Sequence, residues 1–425
     1  MTVALFTFSL LGAMAIGVPI AFALMVCGVA LMLWQGQFDA TILSQKLVEG
    51  ADSFPLLAIP FFMLAGELMN AGGISKRIVA FALAWVGHIR GGLGLVVIFA
   101  SVLMAAISGS AAADTAAIGA LLIPMMRQAG YDVPRASGLI AAGGVIAPVI
   151  PPSIGLIVFG VIANVSIGKL FLAGIVPGVM MGASLLIAWM WVARRDQVQV
   201  LPRQGLQARG RAGVEGIWAL LMPAGIIGGL KFGIFTPTEA GVAACVYAWF
   251  VGTFIYRELP LKDLGRHLIS ASKSTAAVVF LIASALVSGW LITMSEVPAQ
   301  VSAMLQPFMG NKILLMGVIM LITLVVGTAL DFAPTLMILT PVLMPIIKQA
   351  GIDPVYFGVL FIMNNAIGLI TPPVGVVLNV ICGVSKISMN ELMKGLWPFL
   401  WAEVFVLFLL VLFPPLVLVP LKWLM

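Results

Sequence analysis

The chain has 425 residues, of which 62% are hydrophobic and only 9% charged, with a mean hydropathy of +1.17. Such a composition cannot clothe a soluble surface, which takes about a quarter charged residues, so soluble enzymes and soluble binding modules are excluded. The net charge of +6 lies mostly in connecting stretches without interleaved aromatic residues, so it reports membrane topology and not a nucleic-acid partner.

Apolar runs near the roughly 20 residues that cross a bilayer as helix recur from end to end, and the alternating ten-residue segments of a barrel are missing. The expected fold class is an all-α polytopic membrane protein. Residues 3 to 34 read as one retained first helix with Pro19 inside it, too long and too poor in basic residues for a signal peptide. Residues 37 to 53 are amphipathic enough to lie along the interface. PLLAIPFFMLAGELMN then enters the membrane with Glu67 near its end, where a carboxylate reaching the interface and an ion-pathway acid both remain open.

Leu93 to Ile107 and Ala113 to Gln128 are two short apolar segments around Ser108, Gly109 and Ser110. That pattern predicts a re-entrant helical hairpin, whose tip backbone is tolerable only inside protein or against a polar cavity. Residues 135 to 168 carry Gly143, Gly144, Pro148, Pro151 and Pro152 at their centre, which predicts a discontinuous helix. A span over 170 to 193 follows, with Gly174, Gly178 and Gly182 at small-xxx-small spacing. The linker over 194–213 holds Arg194, Arg195, Arg203, Arg209 and Arg211 against Asp196, which marks it cytoplasmic. Spans over 214 to 232 and 236 to 256 lead to a second basic loop, RELPLKDLGRH, consistent in parity. Glu239 in FTPTEAG reads as a first-turn helix acid.

The second half repeats this order. A span from about 270 to 293 and an interfacial piece near 297 to 309 precede short apolar segments over 312 to 327 and 334 to 349. A Pro-broken helix then runs from 355 to 382, and a last helix from about 391 to 420. At an offset of about 221, Pro345, Gln349, Ala350, Gly351, Pro372 and Pro373 match Pro124, Gln128, Ala129, Gly130, Pro151 and Pro152. If neither hairpin crosses, the N-terminus, Lys312 and Lys348 fall outside and Arg90, Arg127, Arg135, Lys386 and Lys394 inside, so most of the 22 Lys and Arg are inside and the repeat is inverted.

Two broken helices with half-helix ends near mid-membrane can bind a cation at carbonyls and C-terminal ends and a carboxylate at N-terminal ends. Ser108, Ser110, Thr328 and Thr371 add hydroxyl oxygens beside the breaks, while Gly109, Gly144, Gly327 and Gly368 let the backbone approach closely. Hard oxygen ligands of this kind suit a small alkali ion. Asp114 and Asp331 are the sharpest single residues, each open to a pathway role or to capping its second hairpin arm. Asn364 and Asn365 precede the second break, open to substrate contact or interhelical hydrogen bonding. Cys27, Cys245 and Cys382 lack CxxC or His partners and read as small buried residues. No GxxxxGK[ST], HExxH or GxSxG pattern is present, so neither ATP hydrolysis nor intramembrane hydrolysis is expected.

The stretches IPFFMLAGELMNAGGISKRI, SGSAAADTAAIGALLIPMM, GGVIAPVIPPS, FTPTEAG, LTPVLMPIIKQAGIDPVYFGV and GLITPPVGVVLNV resemble the large membrane subunit of the tripartite ATP-independent periplasmic (TRAP) transporters. The resemblance covers essentially the whole chain and is nearest the subgroup associated with 2,3-diketogulonate and related sugar acids. It implies a sodium-coupled importer of a small organic acid in the bacterial inner membrane, with an elevator-type fold and no cofactor. A small four-helix membrane subunit and a periplasmic solute-binding protein are the implied partners. Carried over, sodium falls at Ser108, Gly109 and Ser110 with Gly144 and Pro148, and at Gly327, Thr328 and Asp331 with Gly368, Thr371 and Pro372. Substrate contact is assigned to Ser108, Asp114, Pro151, Pro152, Ser153, Asn364, Asn365 and Pro373. Some sialic acid members carry an arginine upstream of the second hairpin; WLITMSEVPAQ has none, which argues against that cargo.

The organisation so implied is scaffold over 1–92, a first transport unit over 93–168, scaffold over 169–309, a second transport unit over 310–385 and a C-terminal scaffold helix over 386–425. A stand-alone sodium-coupled divalent-anion transporter of related fold, or a passive channel, are the alternatives.

Overall fold

The computed structural model describes residues 2–194 and 202–425, and among these every regular element is helical. Arg195 and Asp196 of the basic linker lie outside the described residues. The chain begins with α1 (Thr2–Ala15), α2 (Ile20–Trp34), α3 (Ala40–Ala51), α4 (Ala58–Ala71) and α5 (Ile74–Val86). It continues through α6 (Gly92–Ser108), α7 (Ala111–Gln128), α8 (Val133–Gly144), α9 (Ile154–Ala163) and α10 (Ile167–Ala193). The middle holds α11 (Leu206–Lys231), α12 (Pro237–Phe250), α13 (Leu264–Met294) and α14 (Val297–Leu305). The last stretch is α15 (Lys312–Ala329), α16 (Phe332–Gln349), α17 (Pro354–Gly368), α18 (Val376–Ser385), α19 (Met389–Leu412) and α20 (Pro415–Leu424). Seven helical stretches among the described residues are long and apolar enough to cross a membrane.

The N-terminal region corrects the single helix expected over 3–34. Gly17 adopts φ +84° and Pro19 precedes α2, so the chain reverses where an apolar run alone reads as continuous. α1 then lies back along α2, with Cys27 Sγ 3.8 Å from the Phe6 carbonyl. α3, whose N-terminus is capped by Asp39, packs on α13, with Gly50 against Ala283 and Lys46 over the Trp290 ring.

α4 runs along α12, where Gly241 meets Phe61 and Gly72 meets Gly252, and α13 packs on α2, α3 and α4. Small residues at these crossings let the helix backbones approach. Residues 74–90 are not among the seven span-length stretches. Lys76 and Arg77 pair with Glu258 at 3.2 and 2.7 Å, while His88 meets Arg209 at 3.3 Å and Arg90 reaches the Arg194 carbonyl at 3.4 Å. Both ends of α5 therefore sit on the face that carries the basic residues. The second half of the linker expected over 194–213 is also helical: α11 begins at Leu206, and Arg211 and Glu215 pair across one turn at 2.9 Å.

α8, α10, α15, α17 and α18 pack on α19. Gly395 and Leu396 near its start lie against Pro134 and Gly138 of α8, while Leu410 near its end accepts a hydrogen bond from Tyr356 Oη of α17 at 2.9 Å. α8 and α17 thus enter from opposite ends of α19. Trp189 of α10 stacks with Phe399 and donates to the Gly91 carbonyl at 2.9 Å, closing the base of α6. The last helix expected to reach residue 420 stops at Leu412, where Pro414 and Pro415 end it and α20 packs back on α10.

Candidate functional site

Two helix pairs bring short tips to the interior. The α6–α7 tip is Gly109–Ser110 and the α15–α16 tip is Leu330–Asp331, at the offset of 221 seen in the sequence. At the first tip Gly109 adopts φ +60°, and Ser110 caps α7 by accepting the Ala113 N–H at 3.4 Å. Capping there falls to Ser110 and leaves Asp114 free of it. Ser108 Oγ donates to Asp114 Oδ1 at 2.5 Å, and Asp114 is 1% exposed with Oδ2 unpartnered.

The first break follows α8. The α-helix ends at Gly144, hydrogen-bonded turns continue to Ile150, and α9 begins at Ile154, where buried Ser153 caps it and donates to the Pro148 carbonyl at 2.5 Å. Pro151 and Pro152 lie between, and a Cβ on Gly109 would stand 2.6 Å from the Pro152 carbonyl. Tip and break are therefore in direct backbone contact, which together with the positive φ requires glycine at 109.

At the second tip Asp331 caps α16, with Oδ1 accepting the Phe332 N–H at 2.7 Å. Gly327 backs onto Gly368, where a Cβ would lie 3.0 Å from the Gly327 carbonyl, and Val374 N–H donates to the Thr328 carbonyl at 3.3 Å across tip and break. The Thr328 and Thr371 hydroxyls donate to carbonyls of their own helices, Val325 and Ile367, both at 2.8 Å. Pro372 and Pro373 complete this break before α18.

A cavity of about 250 Å³ separates the two tips. Its wall includes Ser110 to Ala112, Ile154 and Gly155, Asp331 to Ala333, and Val376 and Val377, which are the starts of α7, α9, α16 and α18. Four helix N-termini thus converge on one space, each with partial positive charge. Gly109, Pro148 and Leu369 complete the tip-and-break lining, and Asp331 is the one ionisable residue in it.

Of the residues singled out from sequence, Gly109, Ser110, Pro148 and Asp331 line this cavity. Ser108 opens instead, with Ser110, onto a second cavity of about 270 Å³ that includes Glu67 and Asn70 of α4. Ser270 Oγ donates to Glu67 there at 2.7 Å. Asn364 and Asn365 are turned away: their Nδ2 groups donate to the Met320 and Phe361 carbonyls at 2.7 and 3.0 Å, and both Oδ1 atoms are unpartnered. Sequence reading passed over Ser101 and Thr115, buried hydroxyls without partners whose oxygens stand where a Cβ on Gly143 or Gly144 would fall. The adjacent glycines were the signal available for them. It also passed over Glu403, an acid inside the apolar run WPFLWAEVFVLFLLVLF.

The family profile described as the DctM component of tripartite ATP-independent periplasmic transporters matches residues 7–416. The chain is 55% identical over 423 residues to the 2,3-diketo-L-gulonate TRAP transporter large permease protein YiaN of Escherichia coli, covering 100% of both chains. It is 38% identical over 407 residues to the sialic acid TRAP transporter large permease protein SiaM of Vibrio cholerae, covering 96% of this chain and 95% of that one. Among solved structures, the Alcanivorax borkumensis YdaH transporter matches with a TM-score of 0.63 over 88% of this chain and 89% of that one, at 16% identity, a likeness of fold. The chain belongs to the TRAP transporter large permease family and is a multi-pass transporter subunit of the bacterial inner membrane, not an enzyme.

Proposed function

We propose that this chain imports a small organic acid, a sugar acid such as 2,3-diketogulonate, together with sodium. The observation that carries this reading is the convergence of four helix N-termini on a cavity whose one ionisable lining residue is Asp331. The N-termini attract a carboxylate, while Asp331 repels it unless a cation stands beside the second tip. Sodium bound by Asp331 with the Gly327 and Thr328 backbone and the Gly368 to Pro372 break would remove that repulsion, so ion and substrate bind better together than apart. The paired sodium at the first unit would use Ser108, Gly109, Ser110, Gly144 and Pro148, with the free oxygen of Asp114 behind the tip. Pro151, Pro152, Ser153 and Pro373 shape the substrate space through the break backbones. Asn364 and Asn365 brace the second break from behind.

The two tip-and-break units are read as inverted-topology repeats, supported by their common offset and by the entry of α8 and α17 from opposite ends of α19. The face bearing Arg90 and Arg194 is the cytoplasmic one. In an elevator cycle we assign α10, α19 and α20, placed with the scaffold over 169–309 and 386–425 on sequence alone, to the moving body of α6 to α10 with α15 to α20, since α10 and α19 pack on the hairpins and broken helices. α1 to α5 with α11 to α14 form the scaffold. A periplasmic binding protein delivers the acid and a small four-helix subunit joins the scaffold, in keeping with the tripartite family and with the 2,3-diketo-L-gulonate relative.

Reconstituted liposomes test this reading. Uptake of 2,3-diketogulonate that requires an inward sodium gradient and added binding protein is the expected result. Sodium-driven uptake without that protein would leave a stand-alone transporter, and flux indifferent to any ion gradient would leave a channel.

A further inference from the structure

Glu403 takes no part in the transport reading. It is 0% exposed, and neither of its carboxylate oxygens has a hydrogen-bond partner. The stripe that α19 buries, Gly395, Leu396, Phe399, Glu403, Val406 and Leu410, shows what it faces. One turn before it Phe399 stacks with Trp189 of α10, and two turns after it Leu410 accepts from Tyr356. Glu403 therefore points into the seam where α19 meets α8, α10 and α17.

The ionisable groups on every helix packed against α19 are Arg135, Lys169, Lys312, Tyr356 and Cys382. Arg135, level with Gly395, is about 12 Å away along the axis at 1.5 Å per residue. Tyr356 donates to Leu410 on the other side, Lys312 donates to the Gly351 carbonyl at 2.8 Å, and Lys169 is at the far end of α10. Cys382 lies on α18 beyond the second break and brings no positive charge. On α19 itself Glu391 is held by Ser388, and Lys394 is exposed at the first turns. None of these cations stands at Glu403, and an ionised carboxylate there would be an unpaired charge buried at membrane depth.

We infer that Glu403 is a proton-binding site, separate from the tip-and-break sites. The seam packs around the neutral carboxylic acid. A proton taken from water forms the O–H bond when the seam closes and returns to water when it opens, with no change of oxidation state. In the opened chain this carboxyl is solvated and ionised above the usual carboxylate range, so the packed state holds one more proton than the open state. Stability then falls as pH rises through neutrality, by about tenfold in the unfolding equilibrium constant per pH unit for one proton.

The test is unfolding of the full-length protein in detergent micelles, wild type against Glu403→Gln, between pH 6 and pH 9. The expected result is a wild-type unfolding constant that rises relative to the variant by about tenfold per pH unit. Parallel pH profiles would overturn the inference. Should the variant fail to fold, infrared spectra of wild-type protein with isotope-labelled glutamate replace it. A glutamic acid carbonyl band persisting at pH 8 supports the site, labelling separates it from Asp114, and a spectrum holding only carboxylate bands overturns it.

Discussion

The two tip-and-break units share bounds and exchange their polar residues. At the offset of 221, Asp331 stands where the first unit has Ser110, and Thr335 stands where it has Asp114. Each unit thus has one acid and one hydroxyl, in opposite places. The capping position faces the cavity between the tips, and the position four residues later is buried, 1% exposed for Asp114 and 0% for Thr335. The second unit therefore presents its charge to the cavity between the tips. The first keeps its charge behind the tip, tied to Ser108, while Thr335 donates only to the Asp331 carbonyl at 2.9 Å. One backbone plan carries two electrostatic arrangements: an acid facing the cavity in the second unit, and an acid buried behind the tip in the first.

Removing the exposed charge is the strongest way to break this contrast. Asp331→Asn keeps a capping oxygen for the Phe332 N–H but removes the charge, so sodium-driven uptake should fall about 100-fold, for a lost charged ligand of about 2–3 kcal/mol. Uptake equal to wild type with an unchanged sodium requirement would sink the assignment. Ser108→Ala strips Asp114 of its donor inside the first unit. The cost should be about 1–3 kcal/mol, read as a lower thermal midpoint and weaker stabilisation by sodium. In the second unit the offset of 221 puts Ala329 opposite Ser108, and the neighbouring Thr328→Val, whose hydroxyl serves only its own helix, should change either quantity by less than about 0.5 kcal/mol. Equal effects of the two would erase the difference between the units.

The glycines at the tip-and-break contacts sharpen the same contrast. Gly109→Ala combines a positive φ with a contact of 2.6 Å to the Pro152 carbonyl, so it should destabilise by about 1–3 kcal/mol. Gly368→Ala has only close contacts with Gly327 at 3.0 to 3.3 Å and no left-handed φ, so its cost should stay below about 1 kcal/mol. Thermal midpoints of the two variants in detergent decide the order, and the reverse order would mean that the second tip is the more tightly seated.

Much of this geometry is legible in the sequence. Ser-Gly-Ser between two short apolar runs and the clustered Gly and Pro residues locate tips and breaks because each removes a local reason for helix to continue. What sequence could not give was direction and facing. Hydropathy does not distinguish a kink at Pro19 from the reversal that Gly17 permits, so α1 and α2 read as one span. The basic stretch 74–90 was uninformative about crossing until Glu258 and Arg194 supplied partners on a single face. Sequence favours Asp331 over the deeper Asp114 as the functional acid but leaves both open to capping, and only the tip geometry tells which acid caps and which is buried. Glu403 stayed hidden because one acid in a long apolar helix has no local pattern around it.

A further effect lies outside both units and serves as their control. Burial pushes the Glu258 carboxyl up, but hydrogen bonds and charge from Arg77 and Lys76 outweigh it and hold the group below its ordinary 4.5. A carboxyl depressed in the folded state contributes its stability fully above the unfolded value and loses it as pH falls through the folded one. The pairing of α5 with the loop before α13 should therefore be complete at pH 6 and weaken below pH 4.5. For a pair this exposed the loss is at most about 1 kcal/mol. Hydrogen exchange at Gly73 to Ile78 should quicken on acidification in the wild type and be pH-insensitive in Glu258→Gln, after correction for intrinsic rates. Since Glu258 touches neither tip, this variant should leave the ratio of the Asp331→Asn and Ser108→Ala effects unchanged. A shift in that ratio would show that the α5 arm feeds into one unit and not the other, and that part of their contrast comes from the scaffold and not from the exchanged Asp and hydroxyl positions.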